Sequence, residues 1–244
     1  MTSGKPRLDI ALVERGYMDS REKARRAIMA GLVLVNGQVA AKAGTPTAPD
    51  AEIALVAREK FVGRGGLKLE GGIEYFAIPV AGRVALDVGA STGGFTDCLL
   101  QRGAERVYAV DVGHGQLDWK IRQDPRVVVH EGLNARVLEA SLFVPPPSLV
   151  VADVSFISLT LILPAIFSLL NADADILVLI KPQFELSRAD VARGGIVRDQ
   201  HLHERAVEKI RAFVEASGHR WVGSCPSPIT GRDGNVEFLA HLRP

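Results

Sequence analysis

The sequence predicts an α/β protein in which a small α+β module is followed by a larger, mostly parallel sheet of seven strands. From Val84 onward, short apolar runs typical of buried strands alternate with helical segments, as in parallel sheets covered by helices on both faces. Before that region, two short basic helices precede a hairpin whose turn is Asn36-Gly37. This dipeptide favours a type I′ turn, because both residues adopt positive φ angles.

Composition and charge are those of a folded chain without a strong charge bias. Of the 244 residues, 47% are apolar and 23% are charged, and the formal net charge is +1. A uniform basic coat for nucleic acid is therefore excluded, and any basic surface must be local. The two cysteines, Cys98 and Cys225, lack the spacing of a zinc site or a disulfide framework, so we expect no metal.

We expect a soluble, cytoplasmic protein. The N-terminus lacks the apolar core of a signal peptide. The longest uncharged apolar run, 156–170, contains Pro164 and is shorter than the ~20 residues that span a bilayer. This run is more typical of a strand end followed by a core helix.

The expected domains are a small module at 1–60, a linker at 61–67 and a larger domain at 68–244. In the module, a first helix spans 7–15, and a second begins after Ser20 as N-cap and ends near Ala30. In the larger domain, a polar stretch at 183–199 is expected as a long loop, which is typical of a lid or a disordered segment.

A glycine-rich turn follows the first strand of the larger domain. The strand at 84–88 leads into Gly89-Ala-Ser-Thr-Gly93-Gly94, and a helix begins at Phe95. Gly89 permits the turn, and the later glycines permit close approach of a ligand or a helix. The next strand ends in Asp111, where a carboxylate can accept hydrogen bonds from both hydroxyls of a ribose. These features predict a nucleotide-binding βαβ unit.

The spacing of the glycines selects among nucleotides. Neither G-x-G-x-x-G nor a phosphate loop with Lys after the last glycine is present. Asp87 lies two residues before Gly89, and a carboxylate beside the ligand suits a cationic molecule better than a pyrophosphate. S-adenosylmethionine fits, and the segment resembles the cofactor motif of class I methyltransferases. The alternative is a glycine turn in another kind of α/β domain.

Charged residues lie at the ends of several predicted elements. Asp153 and Lys181 end two apolar strands that we expect to be neighbours, and Pro182 restricts Lys181 to an extended conformation. Lys68 lies in the first turn of a helix at 67–76, where a cation is electrostatically unfavourable. Glu237 begins the last strand. Each residue alone is explained equally well as a strand cap or a solvated charge.

The motifs around these four residues resemble those of the RrmJ/FtsJ-like RNA 2′-O-methyltransferases, whose catalytic tetrad is K-D-K-E. The matching segments are R-G-G-L-K68-L, D-V-G-A-S-T-G-G-F-T, A-D153-V-S-F-I-S-L, L-I-K181-P-Q-F-E and N-V-E237-F-L. Over about residues 7–57, the basic helices and the hairpin L-V-x-V-N-G resemble the S4 RNA-binding module. Together, nearly the whole chain is similar to the TlyA family, which includes ribosomal RNA 2′-O-methyltransferases and proteins named haemolysins.

The resemblance implies a Rossmann-like class I methyltransferase sheet behind an S4-like domain, S-adenosylmethionine as cofactor, and ribosomal RNA or ribosomal subunits as partner. The implied catalytic residues are Lys68, Asp153, Lys181 and Glu237. The expected cofactor site consists of Asp87, Gly89, Ser91, Gly93, Gly94, Phe95, Asp111 and Asn134. The expected RNA contacts are Arg7, Ser20, Arg21, Lys23, Arg25, Arg26, Lys60 and Arg64.

The chemistry of the tetrad leaves the role of Lys181 open. Lys181 could act as a base toward the ribose hydroxyl, or it could remain charged and stabilise the developing alkoxide. No metal is needed, because the leaving group is a sulfonium that becomes a neutral thioether. Two other functions stay open, a catalytically silent RNA-binding ribosome factor and a membrane-active haemolysin, and the absence of a spanning segment disfavours the second. We expect a monomer that does not bind membranes.

Overall fold

The computed structural model describes residues 5–56, 59–191 and 194–244. It divides the chain into two compact units with the boundary between Glu59 and Lys60. Residues 57–58, in the expected module at 1–60, and residues 192–193, in the expected polar loop, lie outside the described residues. Within the described ranges, we find no helix with the length and apolar character needed to span a membrane.

The smaller unit contains two helices and a three-stranded antiparallel sheet of order β2-β1-β3. The predicted hairpin is confirmed, since Val35 pairs with Gln38 and both turn residues have positive φ angles. The helices pack on the sheet through Leu8, Leu12 and Ile28, which are almost fully buried. The elements are α1 (Leu8–Glu14), α2 (Arg21–Met29), β1 (Val33–Val35), β2 (Gln38–Val39) and β3 (Ile53–Leu55).

The larger unit alternates strands and helices as the sequence predicts. Its strands are β4 (Val84–Val88), β5 (Arg106–Asp111), β6 (Val127–Glu131), β7 (Leu149–Ala152), β8 (Asp175–Ile180), β9 (Arg220–Pro226) and β10 (Phe238–Arg243). Its helices are α3 (Gly65–Phe76), α4 (Gly94–Gln101), α5 (Trp119–Arg122), α6 (Leu163–Phe167), α7 (Pro182–Glu185) and α8 (Gln200–Ala216), with 3₁₀ turns at Ala140–Leu142 and Leu159–Leu161.

The sheet of the larger unit has the order β6-β5-β4-β7-β8-β10-β9. β10 is antiparallel to both of its neighbours, β8 and β9, and the four other strand pairs described in this sheet are parallel. The expected mostly parallel, seven-stranded sheet is therefore confirmed. The chain moves outward from β4 to β6 and then returns to β7 on the other side of β4. In open α/β sheets, ligands bind at the carboxyl ends of the strands where the order reverses in this way. The β4–β7 boundary is therefore the expected ligand position.

Two apolar cores cover the two faces of this sheet. Leu69 of α3 and Leu99 of α4 lie in one core, whereas Ile166 of α6 and Ile210 of α8 lie in the other. Because the central strands are buried on both faces, their sequences are continuous apolar runs without alternation. This explains why short apolar runs in the sequence predict these strands.

Three expected elements differ in the structure. The expected linker at 61–67 is part of the larger unit, because Phe61 is buried in its core and α3 already begins at Gly65. The expected loop at 183–199 begins as the short helix α7, since Pro182 at its first turn is preset for helical φ. The core helix expected within the apolar run at 156–170 is interrupted, with a 3₁₀ turn before α6.

A buried ionic cluster lies at the start of β8. Asp175 accepts hydrogen bonds from Arg83 Nη1 at 2.6 Å, from His241 Nε2 at 2.8 Å and from Arg243 Nε at 2.9 Å. Burial alone would raise the pKa of Asp175, but these three partners outweigh it and hold the pKa below its usual value. The carboxylate therefore joins β8, β10 and the segment before β4.

We expect Asp175→Ala to lower the free energy of unfolding of the larger unit by about 3 kcal/mol, because Arg83 would lose the carboxylate it pairs with in a largely buried site. Urea unfolding followed by tryptophan fluorescence measures this, since both tryptophans, Trp119 and Trp221, lie in this unit. The exposed neighbour Asp173→Ala is the control and should change the value by less than about 0.5 kcal/mol. Equal shifts in the two variants would contradict the assignment.

Candidate functional site

The glycine turn after β4 brings two strand ends into close contact. Gly89 has φ +87°, and a Cβ atom at this position would lie 2.5 Å from the carbonyl oxygen of Asp153. A side chain is therefore excluded for both conformational and steric reasons. The peptide N–H of Asp153 donates to the carbonyl of Val88 at 3.0 Å. The turn and the residues after β7 thus form one wall at the switch point of the sheet.

A cavity of about 740 Å³ opens beside this wall. Four of the expected cofactor residues line it, namely Gly89, Ser91, Asp111 and Asn134. The two oxygens of Asp111 accept separate backbone hydrogen bonds, from Ser91 at 2.8 Å and from Gly113 at 2.7 Å. These bonds fix the carboxylate at the end of β5, and each oxygen keeps a lone pair for a ligand.

A second cavity, of about 550 Å³, adjoins the first. Two more expected cofactor residues, Gly94 and Phe95, line this cavity together with Lys68, Asp153 and Lys181. The walls common to both cavities are formed by Gly89, Ser91, Gln116, Asp153, Ser155 and Arg232. A ligand in the first cavity can therefore meet a second molecule in the other.

Two of the expected cofactor residues, Gly93 and Asp87, line neither cavity. Gly93 has φ +95° and faces inward, where a Cβ would lie 2.8 Å from the side chain of Leu117. Asp87 is fully buried and accepts a hydrogen bond from the hydroxyl of Thr96 at 2.6 Å. Both residues therefore shape the turn from behind, and their place in the cofactor site stays a prediction.

The four charged residues of the tetrad form two ion pairs. Lys68 Nζ lies 2.5 Å from Glu237 Oε2, and Lys181 Nζ lies 2.6 Å from Asp153 Oδ1. None of the four side chains is more than 19% exposed. Glu237 lines neither cavity and lies behind Lys68. The second cavity is therefore bordered by two largely buried lysines, each with its own carboxylate.

The topology of the sheet explains why residues so distant in sequence meet. Asp153 and Lys181 follow the neighbouring strands β7 and β8, and Lys181 is extended, with φ −112° and ψ 103°. Glu237 was expected to begin the last strand, but it immediately precedes β10. The first residue of β10 pairs with the last residue of β8. Because β10 is antiparallel, its start lies at the same edge as the end of β8.

The structure adds residues that the sequence analysis did not single out. The hydroxyl of Ser155 accepts a hydrogen bond from Lys181 Nζ at 2.8 Å. Phe156 is 91% exposed at the rim of the first cavity, and its ring centroid lies 5.1 Å from that of Phe184. Phe156 has φ +65°, an unusual conformation for a bulky residue and one often found at functional sites. Its exposure and backbone angle leave no mark in the sequence.

In the smaller unit, the basic residues that we expect to contact RNA all lie near a carboxylate. Arg7, Arg21 and Arg25 surround the buried carboxylate of Asp9. Lys23 pairs with Asp19 at 2.5 Å, and Arg26 lies 3.7 Å from Glu22. The expected RNA residue Ser20 is the N-cap of α2, where its hydroxyl oxygen accepts a hydrogen bond from Lys23 N at 3.3 Å. Its oxygen is thus already used by the helix.

The two expected RNA residues of the larger unit have different surroundings. Lys60 Nζ pairs with Glu70 at 2.6 Å, which anchors the start of this unit to α3. Arg64 donates to the carbonyl of Thr230 at 3.1 Å and lines the second cavity. In the part of the chain that the structure describes, no three His, Cys, Asp or Glu residues are grouped as metal ligands.

Fold and site together define a Rossmann-like methyltransferase with a separate N-terminal module. A family model for FtsJ-like methyltransferases matches residues 61–244, and a model for the S4 domain matches residues 6–53. The chain belongs to the FtsJ-like methyltransferases. Within them it belongs to the TlyA family, because its sequence aligns with that of a TlyA protein over nearly the full length of both chains.

That relative is the 16S/23S rRNA (cytidine-2′-O)-methyltransferase TlyA of Mycobacterium tuberculosis, which is 46% identical over 98% of this chain and 90% of that protein. Hemolysin A of Brachyspira hyodysenteriae is 47% identical over 97% of this chain and 99% of that protein. A solved structure of a hemolysin-named protein from Streptococcus thermophilus is 45% identical, with a TM-score of 0.75 over 98% of this chain and 88% of that one.

Asp87 generates a prediction about pH. Burial raises the pKa of this carboxyl to about 7, so between about pH 4 and 7 the folded protein holds a proton that the unfolded chain has released. Stability from this group is therefore present at low pH and is lost as the pH rises through 7. Relative to Asp87→Asn, the wild type should lose about 2 to 3 kcal/mol of unfolding free energy between pH 5 and pH 8.

Urea unfolding of both proteins at the two pH values measures this difference. The exposed Asp173→Asn serves as control, and its difference from wild type should not change with pH. A wild-type advantage over Asp87→Asn that stays constant from pH 5 to pH 8 would contradict the raised pKa of Asp87.

Proposed function

We propose that this protein transfers the methyl group of S-adenosylmethionine to a ribose 2′-oxygen of ribosomal RNA. The observation that supports this most directly is the pair of buried lysines beside a cavity that adjoins the glycine-turn cavity. One cavity suits a nucleoside cofactor, and the other presents cations to an oxygen nucleophile. The name of the Mycobacterium tuberculosis relative supports ribosomal RNA as the substrate class.

The residues of the first cavity fit S-adenosylmethionine. Its volume of about 740 Å³ lies in the range of small-molecule sites. Asp111 would accept hydrogen bonds from the ribose hydroxyls, Asn134 would flank the adenine, and Gly89 allows close approach of the ligand. When bound, the cofactor supplies an electrophilic methyl group on a sulfonium. The carboxylate of Asp153, in the wall common to both cavities, places negative charge near that cation.

Lys181 is the residue we propose to contact the ribose hydroxyl. An ammonium group has three N–H donors. Nζ of Lys181 donates one hydrogen bond to Ser155 at 2.8 Å and lies 2.6 Å from Asp153 Oδ1 in an ion pair. A further direction is thus left for the 2′-oxygen. As a base, Lys181 would take the proton of the hydroxyl, and as a cation it would stabilise the alkoxide. Both roles need the same contact.

Lys68 and Glu237 are proposed to hold the other side of the acceptor position. Lys68 lines the second cavity, and Glu237 behind it compensates its charge in a buried environment. Lys68 would thereby add positive potential near the developing oxyanion. Asp153 fixes Lys181 in the same way, so each lysine is oriented by one carboxylate.

The smaller unit is proposed to supply RNA affinity. Its match to the S4 domain and its clustered arginines on α2 support contacts to RNA phosphates, which give affinity and register but not sequence choice. In the larger unit, exposed Phe156 offers an aromatic face at the rim of the first cavity. Unpaired bases stack on such faces, so we propose Phe156 as a contact for the target nucleotide.

Lys181→Ala should reduce kcat for methyl transfer by about 10²- to 10⁴-fold, because a base or an oxyanion-stabilising cation is lost. Transfer of labelled methyl from S-adenosylmethionine to ribosomal RNA measures this, with Kd for the RNA expected to change little. The exposed Lys120→Ala is the matched control and should keep the wild-type rate. If Lys181→Ala transfers methyl groups at the wild-type rate, the tetrad is not part of the mechanism.

Phe156→Ala should raise KM for RNA by about tenfold, since base stacking on an aromatic ring contributes about 1 to 3 kcal/mol. Phe156→Tyr keeps an aromatic face and should restore most of the affinity. Equal KM values for Phe156→Ala and Phe156→Tyr would contradict a stacking role.

A further inference from the structure

The smaller unit contains a carboxylate that is completely buried among arginines. Asp9 lies in the first turn of α1, and its side chain is 0% exposed. Arg7 Nε lies 3.0 Å from Asp9 Oδ1, while Arg21 Nη2 and Arg25 Nε lie 3.1 Å and 3.5 Å from Oδ2. Three guanidinium groups therefore converge on one negative charge. We name these four residues the Asp9 cluster.

The cluster is contacted by the loop around Gly44 on one side and by α2 on the other. Arg7 makes a second contact, from Nη2 to Asp9 Oδ2 at 3.3 Å, and its guanidinium lies against Gly44, where a Cβ atom would be 3.5 Å from Cζ. The backbone N–H of Asp9 donates to Ala43 O at 3.0 Å, which attaches the same loop to α1. Arg21 and Arg25 are one turn apart on α2, so they approach Asp9 from the same helix face.

The charges of the cluster leave it attractive to anions. Hydrogen bonding from Arg7 lowers the pKa of Asp9, so the carboxylate is ionised at neutral pH. Three guanidinium groups and one carboxylate have a net charge of +2. Each arginine has five N–H donors. Asp9 accepts hydrogen bonds from two donors of Arg7 and one of Arg21, whereas Arg25 lies at ion-pair distance, 3.5 Å. All three arginine side chains remain about half exposed, so the remaining donors can reach a ligand.

A stabilising role in α1 alone does not account for this geometry. A carboxylate in the first turn of a helix interacts favourably with the helix dipole, but it does so while solvated and without arginines. Burial of Asp9 among three cations brings like charges close together, which is unfavourable unless the carboxylate stays between them. The arrangement instead fixes long, flexible side chains in one orientation, which lowers the entropy cost of binding a ligand.

We propose that Asp9 is a positioning residue that presents Arg7, Arg21 and Arg25 as a preformed cluster for neighbouring phosphates of the RNA. This inference rests on the proposed function, in that the smaller unit is taken to bind RNA. Asp9 itself does not contact the RNA. Its negative charge weakens the electrostatic attraction of the unit, and its orienting effect outweighs that loss.

The sign of one substitution separates positioning from simple electrostatics. Asp9→Asn removes a negative charge and so raises the net charge of the unit by one, which on electrostatics alone tightens RNA binding. Positioning predicts weaker binding, by at least about threefold, because the arginines separate and lose their orientation. Asp19→Asn is the matched control, since it makes the same change of charge at an exposed carboxylate beside Lys23. It should bind RNA as tightly as wild type or more tightly.

The experiment measures Kd of the full chain for purified 23S ribosomal RNA and for a labelled RNA hairpin, over a range of salt concentrations. For Asp9→Asn we expect a larger Kd and a salt dependence that is shallower by about one phosphate contact. Arg7→Ala and the double variant with Asp9→Asn complete a cycle. In the Arg7→Ala background, Asp9→Asn should weaken binding much less than in the wild type, because the two residues act together.

Two results would overturn the proposal. One is an Asp9→Asn protein that binds RNA as tightly as Asp19→Asn. The other is that the effects of Asp9→Asn and Arg7→Ala on the binding free energy are additive, which would indicate that Asp9 only stabilises the unit. Circular dichroism at the assay temperature checks that the variants are folded. If neither the wild type nor any variant transfers a methyl group, the proposed function is contradicted but this inference is not. The ratios of the Kd values for RNA between variant and wild type decide the inference.

Discussion

The contact on which both cavities depend is the close approach of the glycine turn to the residues after β7. Gly89 has φ +87°, and a Cβ atom there would lie only 2.5 Å from the carbonyl oxygen of Asp153. The two backbone segments can therefore pack against each other only because residue 89 has no side chain. At the switch point of the sheet, these two backbone segments form the wall that borders both cavities. Asp153 belongs to this wall and to the ion pair with Lys181. A ligand at the turn and the tetrad are consequently neighbours.

The two lysine–carboxylate pairs are better explained by chemistry than by stability. Burying an ion pair costs desolvation free energy that the attraction between the charges often fails to recover, and an apolar pair of similar volume is frequently as stable. Lys68 and Lys181 nevertheless lie at a cavity wall with little exposure. Positioned cations in a site with little water act strongly on a developing negative charge. The Asp175 cluster, at the opposite end of β8, lines neither cavity and holds strands together.

Much of the larger unit was predictable because its strands are buried on both faces. Continuous apolar runs between turn residues defined β4, β5, β7 and β8, and the adjacency of β7 and β8 placed Asp153 near Lys181. The Asn-Gly hairpin and the Ser20 cap were predictable because each is a local rule of backbone conformation. The match of spaced motifs to a family then connected residues that no local rule could bring together.

What the sequence could not predict depends on contacts between distant segments. Gly93 and Asp87 belong to the glycine motif, but only the packing of Leu117 and Thr96 against them shows that they face away from the cavities. The segment at 61–67 is rich in glycine, as linkers often are, yet Phe61 is buried in the core of the larger unit. The burial of Asp9 depends on three arginines, of which two belong to α2 and one precedes α1.

The central claim is that the methyl group is attached to a ribose oxygen beside Lys181. The most direct test incubates the protein with labelled S-adenosylmethionine and ribosomal RNA or subunits, followed by complete alkaline hydrolysis of the RNA. A methylated 2′-oxygen cannot assist cleavage of the adjacent phosphodiester bond. The account therefore predicts that the label remains in an alkali-resistant dinucleotide at a defined position. Label released in mononucleotides, as for a methylated base, would contradict it.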